Sequence, residues 1–331
     1  MSSIKNLGIF GLPNTQTAET IILPVPWEVT VSYNEGTALG PLSVLKASPQ
    51  LDLFHPHFPE LIQRGISMLD IPEKYVKLNN TYRKKALSLI EKLNTGQTFS
   101  EEDTQCQKDI NTQCGHVMDW VYETSSSILK EGKLLALLGG DHSTPLGYLK
   151  ALADIFPSFG ILHIDSHMDL RLTYEGFTYS HASIMRHAMD IPEITRLVQV
   201  GIRDYCEEEY QMVQQSKGRI KLISNMEIQE QLFQGKSFDA LCKKMIHALP
   251  DHVYVSFDID ALHAYYCPKT GTPVPGGLSF DQIMYLLSVL AKSKKQIIGV
   301  DLVEVGHAEW DGNVGARALF HLCGYMMASE K

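Results

Sequence analysis

Along the chain, short uninterrupted apolar runs alternate with stretches whose apolar residues recur at helical spacing. The runs cover 20–25, 65–69, 134–138, 160–164, 197–201, 219–223, 253–257 and 296–305. Continuous rather than alternating apolar runs mark strands buried on both faces, as in a parallel sheet. Between them, helical patterns cover 41–48, 83–93, 102–130, 145–155, 182–189, 238–249 and 279–292. Pro41 and Pro145 suit first helical turns, and Gly96 and Gly132 suit helix ends. Ser279 and Gln282 have the spacing of a capping box, in which two side chains satisfy two orphan amides. The alternation predicts a single three-layer α/β/α domain over residues 1–331, with a mainly parallel sheet of about eight strands.

Three of the apolar runs end in side chains that ligate metals. Leu134–Leu138 leads into Gly139-Gly140-Asp141-His142-Ser143, Gly160–Ile164 into Asp165-Ser166-His167-Met168-Asp169, and Val253–Phe257 into Asp258-Ile259-Asp260. In a parallel sheet these ends open onto one crevice. Asp165, His167 and Asp169 are spaced two apart, so extended backbone sets them on one side. The inventory is then His142, Asp165, His167, Asp169, Asp258 and Asp260, four carboxylates and two imidazoles without a thiolate. That is more acid than one zinc ion takes, and it suits two harder divalent ions, with Mn2+ the leading candidate. A pair of ions roughly 3.5 to 4 Å apart ionises a shared water near neutral pH, which implies hydrolysis. Asp141 reads as part of its turn, and His163, deeper in the same strand as Asp165, as a satisfied core histidine. His55 and His57 lie far from these segments in sequence and receive no role. The Gly- and Pro-rich stretch Cys267–Gly277 reads as a rigid loop walling the crevice.

Composition narrows the partners. With 44% hydrophobic and 20% charged residues the chain is an ordinary globular protein, and its net charge of −9 argues against nucleic acid while allowing a cationic substrate. Six cysteines without a CxxC pair read as reduced thiols, and neither a leader nor a membrane-length run is evident, so a soluble cytoplasmic protein is expected.

Several ordered segments together resemble the ureohydrolases, the family of arginase, agmatinase and formimidoylglutamase. They are Gly139–Ser143, Asp165–Asp169, Ser256–Asp260, Thr270–Gly277 and Asp301-Leu302-Val303-Glu304, with Gly36-Thr37 and Gly40-Pro41 similar to the family's early pattern. The resemblance implies that His142, Asp165, Asp169 and Asp258 bind one Mn2+ and that Asp165, His167, Asp258 and Asp260 bind the other. It also implies that His181 shuttles a proton and that Glu304 holds a substrate guanidinium. The reaction implied is hydrolysis of a guanidino compound to urea and an amine, by a homo-oligomer of three or six chains.

Two departures bear on specificity. Ala261-Leu262-His263-Ala264 follows Asp260 where the family usually carries a further acid, and Glu304 is followed by Val305–Asn313 rather than a short proline turn. The first spares the direct ligands and bears on loop rigidity and substrate fit; the second resembles the agmatinase-like subgroup, as does the loop Leu170–Tyr179, while Asp169-Leu170-Arg171 is similar to formimidoylglutamases. Agmatine is therefore the first substrate expected, served by Glu175 and Tyr174, with arginine or formimidoylglutamate as alternatives that Arg171 would suit. Readings from other classes are a single-zinc amide deacetylase and a non-catalytic homologue that binds metal or a partner.

Overall fold

The computed structural model describes residues 8–330. Its centre is one sheet of eight strands: β1 (Thr20–Val25), β2 (Ile66–Met68), β3 (Leu134–Gly139), β4 (Phe159–Ile164), β5 (Ile194–Val200), β6 (Ile220–Ile223), β7 (His252–Asp258) and β8 (Gln296–Val303). The strands lie in the order β2-β1-β3-β8-β7-β4-β5-β6, and every pairing is parallel. Each predicted run is thus a strand of a wholly parallel sheet. The four central strands, β3, β8, β7 and β4, are those whose ends carry the polar segments.

Eleven helices are described: α1 (Gly40–Ala47), α2 (Leu61–Arg64), α3 (Glu73–Asn94), α4 (Glu101–Lys130), α5 (Leu146–Ala153), α6 (Ile184–Ala188), α7 (Glu207–Gln215), α8 (Asn225–Phe233), α9 (Phe238–His247), α10 (Phe280–Ala291) and α11 (Glu309–Ala328). Strand residues of alternate parity feed two cores. Leu138, Leu162, Val255 and Phe257 join residues of α9, α10 and α11 on one face. Leu137, Ile161, Leu197 and Tyr254 join residues of α4, α5 and α6 on the other. This is the three-layer arrangement expected, and the capping box of Ser279 and Gln282 opens α10 as predicted.

Four helices, the single turn α2 and α7, α8 and α11, have no counterpart in the sequence reading, and α3 begins ten residues earlier than the predicted stretch at Arg83. In α7 (EEEYQMVQQ) Val213 is the buried apolar residue, too little for a visible stripe. In α8 the buried residue is Ile228. The reverse holds in α11, where fourteen residues are buried and no polar face marks the period. Its Gly312 lets it approach α1 closely: a Cβ there would stand 2.6 Å from the Ser43 carbonyl oxygen.

Candidate active site

Strand register decides what meets at the sheet's carboxyl edge. Gln199, His163, Ser256 and Asp301 are consecutive partners across β5, β4, β7 and β8. Asp165 and Asp258 lie two residues beyond His163 and Ser256, so they leave the sheet on the same face, one layer higher. The turn after β3 brings His142 over them. Within that turn a Cβ at Gly140 would collide with the Trp27 carbonyl, which explains a glycine there. Asp141 faces its own turn: Oδ1 accepts from the amide and hydroxyl of Ser143.

The six predicted ligands converge in two groups. Around Nδ1 of His142 stand Oδ2 of Asp165 and of Asp169, each at 3.0 Å, and Oδ2 of Asp258 at 3.2 Å. Around Nδ1 of His167 stand Oδ2 of Asp260 at 3.1 Å and Oδ1 of Asp165 at 3.5 Å. Asp165 therefore turns one oxygen toward each group. Its neighbour Asp258 offers Oδ2 to the first group, while its Oδ1 accepts the Asp260 amide at 2.9 Å. Nδ1 of His142 and Oδ2 of Asp260 are buried without a hydrogen bond. Buried carboxylates this close repel one another unless protons or cations intervene. Orphaned nitrogen and oxygen donors aimed at common points fit divalent cations: ligand atoms of His142, Asp165 and Asp169 lie within 4.8 Å of one another, as do those of Asp165, His167 and Asp260.

Without cations the electrostatics are those of a crowded acid cluster. Burial opposes protonation of His142, yet the carboxylates of Asp165, Asp169 and Asp258 hold its pKa well above the ordinary value. His167 is held up in the same way, against its burial, by Asp260 and Asp165. Burial, with Asp165 beside it, pushes Asp169 up to about 6. Burial and the carboxylates of Asp260 and Asp165 likewise hold Asp258 well above the ordinary carboxylate range.

Outer hydrogen bonds orient the ligands. Nε2 of His142 is 2.9 Å from Oγ of Ser256, whose hydroxyl donates to Asp301 at 3.1 Å. The serine's one proton is committed to the carboxylate, so it accepts from Nε2–H, and Nδ1 faces the carboxylate cluster, protonated without cations and able to offer its lone pair when one displaces that proton. Ser166 donates its amide and hydroxyl to Oδ1 of Asp260, at 3.1 and 2.7 Å, leaving Oδ2 free. Asp169 holds a left-handed backbone at φ 54°. Its carbonyl accepts from the Arg186 amide at 3.0 Å, which helps to keep this less favoured conformation in place. The alternating pattern of the sequence points to the ligands; Ser256 and Asp301, also in the resemblance segments, act one layer below.

Above the ligands opens a cavity of about 260 Å³, with His167, Asp169 and His181 among its deeper residues and Tyr33, Asp204 and Tyr205 among its exposed ones. His181 begins a turn capped by Ser180. Its Nε2 is 3.3 Å from Oγ of Ser32 and its Nδ1 is 3.8 Å from Oε1 of Glu304. Burial, with positive charge on His167, His142 and Arg83, lowers its pKa to about 3. Glu304 is also left-handed, at φ 60°. Its amide donates to Gly140 at 2.8 Å, its carbonyl accepts from the Thr270 hydroxyl at 2.8 Å, and its Oε1 accepts from the His142 amide at 3.0 Å. Oε2 is buried without a partner. A Cβ at position 271 would stand 2.5 Å from that oxygen, so Gly271 leaves it room.

The Cys267–Gly277 segment does wall the cavity, through Thr272, Pro273 and Val274. Arg203 ties it down, donating to the carbonyls of Asp260 at 2.8 Å, Val274 at 3.0 Å and Pro275 at 3.1 Å. The sequence reading did not find Arg203, Asp204 or Tyr205, because they follow a strand without a ligand-type residue. Of the substrate residues it named, Tyr174 and Arg171 line the cavity and Glu175 does not. Burial raises the pKa of Glu175, and the buried Arg83 acts against that rise. Arg171 lies 4.9 Å over the Tyr174 ring and 3.8 Å from Glu209.

The arginase family model matches residues 18–328. The chain belongs to the arginase family. Among curated members it is 29% identical over 323 residues to the N(1)-aminopropylagmatine ureohydrolase of Thermus thermophilus, covering 96% of this chain and 94% of that one. It is 26% identical over 312 residues to the agmatinase of Bacillus subtilis, covering 93% and 91%. Among solved structures, the agmatine ureohydrolase of Thermoplasma volcanium superposes with a TM-score of 0.73 at 23% identity, over 99% of this chain and 95% of that chain. The arginase of Medicago truncatula gives 0.69 at 22%, over 94% and 88%, and both share the fold. As an arginase-family ureohydrolase, the protein is a hydrolase of C–N bonds in amidines and guanidines. No helix among the described residues is long and apolar enough to cross a membrane.

Proposed function

We propose that this family member is an agmatinase-like enzyme that holds two Mn2+ ions and cleaves agmatine to putrescine and urea. The observation that carries the reading is the pair of ligand groups sharing Asp165 at the floor of a cavity with an acidic, tyrosine-lined mouth. His142, Asp165, Asp169 and Asp258 would hold one ion, and Asp165, His167, Asp258 and Asp260 the other. When bound, the ions supply a water ionised near neutral pH and positive charge beside the reacting carbon.

The remaining residues bind and orient the substrate or move its protons. Glu304 presents its unpartnered Oε2 to the guanidinium, a planar cation suited to a fixed carboxylate. Burial and the carboxylates of Asp258 and Asp141 raise the pKa of Glu304 well above its usual range, and an incoming guanidinium relieves that repulsion. Water adds its oxygen to the guanidinium carbon, the bond from that carbon to the alkyl nitrogen breaks, and the alkyl nitrogen takes up a proton. His181, beside Glu304 and on the cavity wall, is placed to relay that proton. At the mouth, the Asp204 carboxylate and the rings of Tyr33, Tyr174 and Tyr205 suit a distal ammonium. Arg171, spent on Tyr174 and Glu209, is poorly placed to take an α-carboxylate.

The test is urea release by Mn2+-loaded protein from agmatine, N(1)-aminopropylagmatine, arginine and 4-guanidinobutyrate, with formimidoylglutamate scored by formamide release. Turnover is expected for agmatine above the others. Turnover of arginine or formimidoylglutamate alone would move the specificity to those branches, and turnover of none would reject the enzymatic reading.

A further inference from the structure

His163 and Gln199 stand outside the ligand set, yet they form a buried hydrogen-bonded chain that ends on the shared carboxylate. Both residues are fully buried. Nε2 of Gln199 lies 2.7 Å from the Met168 carbonyl oxygen and 3.0 Å from Nδ1 of His163. Nε2 of His163 lies 2.7 Å from Oδ2 of Asp165.

The proton positions along this chain follow from the chemistry of its ends. A backbone carbonyl only accepts, so the Gln199 atom facing Met168 is the amide nitrogen. That same nitrogen faces Nδ1 of His163, which must accept. The neutral imidazole then carries its proton on Nε2 and donates it to Asp165. Both ring nitrogens are committed, so His163 has no lone pair left for a cation, although it stands among the atoms that face the first ligand group.

We infer that His163 and Gln199 are positioning residues that fix the rotamer of Asp165, so that one oxygen faces each ligand group. The chain uses one lone pair of Oδ2 and leaves the other directed at the point shared with His142, Asp169 and Asp258. Adjacent pairing of β4 and β5 sets it up, because His163 and Gln199 are register partners. Outer partners of this kind commonly change metal affinity roughly 10- to 100-fold when removed.

This inference rests on the two-ion reading, and the experiment separates the two. Mn2+ binding to the full-length protein is measured by equilibrium dialysis, and the ring nitrogens of the metal-free protein by histidine 15N NMR. The variants are His163→Phe, which also identifies the His163 signals by their loss, and Gln199→Leu, which leaves Asp165 and all other ligands in place. Wild-type protein is expected to bind two ions and to show a His163 ring protonated on Nε2 alone. Gln199→Leu is expected to lose that fixed tautomer and to bind Mn2+ at least 10-fold more weakly, and Gln199→Glu, which makes Nδ1 a donor, to bind more weakly still. Failure of the wild type to bind two ions would reject the two-ion reading itself. Two ions bound with unchanged affinity by folded Gln199→Leu, or a His163 ring protonated on Nδ1 in the wild type, would overturn the inference alone.

Discussion

Glu304 hangs from the turn that carries His142: its Oε1 accepts the His142 amide at 3.0 Å, while Oε2 is buried and unpartnered. The carboxylate proposed for the guanidinium is therefore held in register with the first ligand group. Glu304→Gln keeps the shape and one acceptor but removes the charge. The expected result is a fall in kcat/KM on the order of 100-fold or more with Mn2+ content unchanged, as for loss of one partner of a buried ion pair. Parallel kinetics and metal analysis check it, and full activity would dismiss the assigned role.

The acid cluster predicts how the metal-free protein responds to pH. His142 and His167 are held above their ordinary value of 6.5 in the fold. A raised folded pKa means that the folded state keeps protons that the unfolded chain gives up, so this stabilisation is complete below pH 6.5 and is lost as pH rises through the folded values. The carboxyls raised by burial act with the same sign, Asp169 at about 6, Asp141 at about 7 and Asp258 and Glu304 well above their usual range, whereas His181, at about 3, does not titrate there. In chelator, the melting temperature should fall on the order of 5 °C between pH 6.5 and 8.5. Excess Mn2+ should flatten the slope, because bound cations do the work of the protons. Thermal melts over that range test this; a steeper fall with the ion present would contradict it.

Asp204 offers a test of the substrate's far end. It is exposed on the rim of the cavity, and its amide is anchored to the Ser166 carbonyl at 3.0 Å. Asp204→Asn should raise KM for amine-ended guanidino compounds roughly two- to five-fold with kcat little changed, the range of an exposed ion pair. The increase should shrink at high salt. For a guanidino acid the sign should reverse, and equal effects on both classes would place the ammonium elsewhere.

Much of this protein was legible in the order of its residues. Short continuous apolar runs, each bounded by turn residues, mark strands covered on both faces, and Asp165, His167 and Asp169 at a spacing of two share a side where the backbone is extended. Helices whose stripes were too thin, such as α7, or absent, such as α11, were not legible, since periodicity carries no signal at either extreme. Strand order and register belonged to the tertiary structure. Nothing local relates Gln199 to His163 or Ser256 to Asp301; they meet because β5, β4, β7 and β8 are neighbours in a given register. Residue types and spacing alone thus pointed to the side chains proposed as ligands. The packing of the sheet decided which oxygen each presents, where its partner's proton sits and what lines the mouth, because hydrogen bonds between distant segments depend on distances that only the folded chain sets.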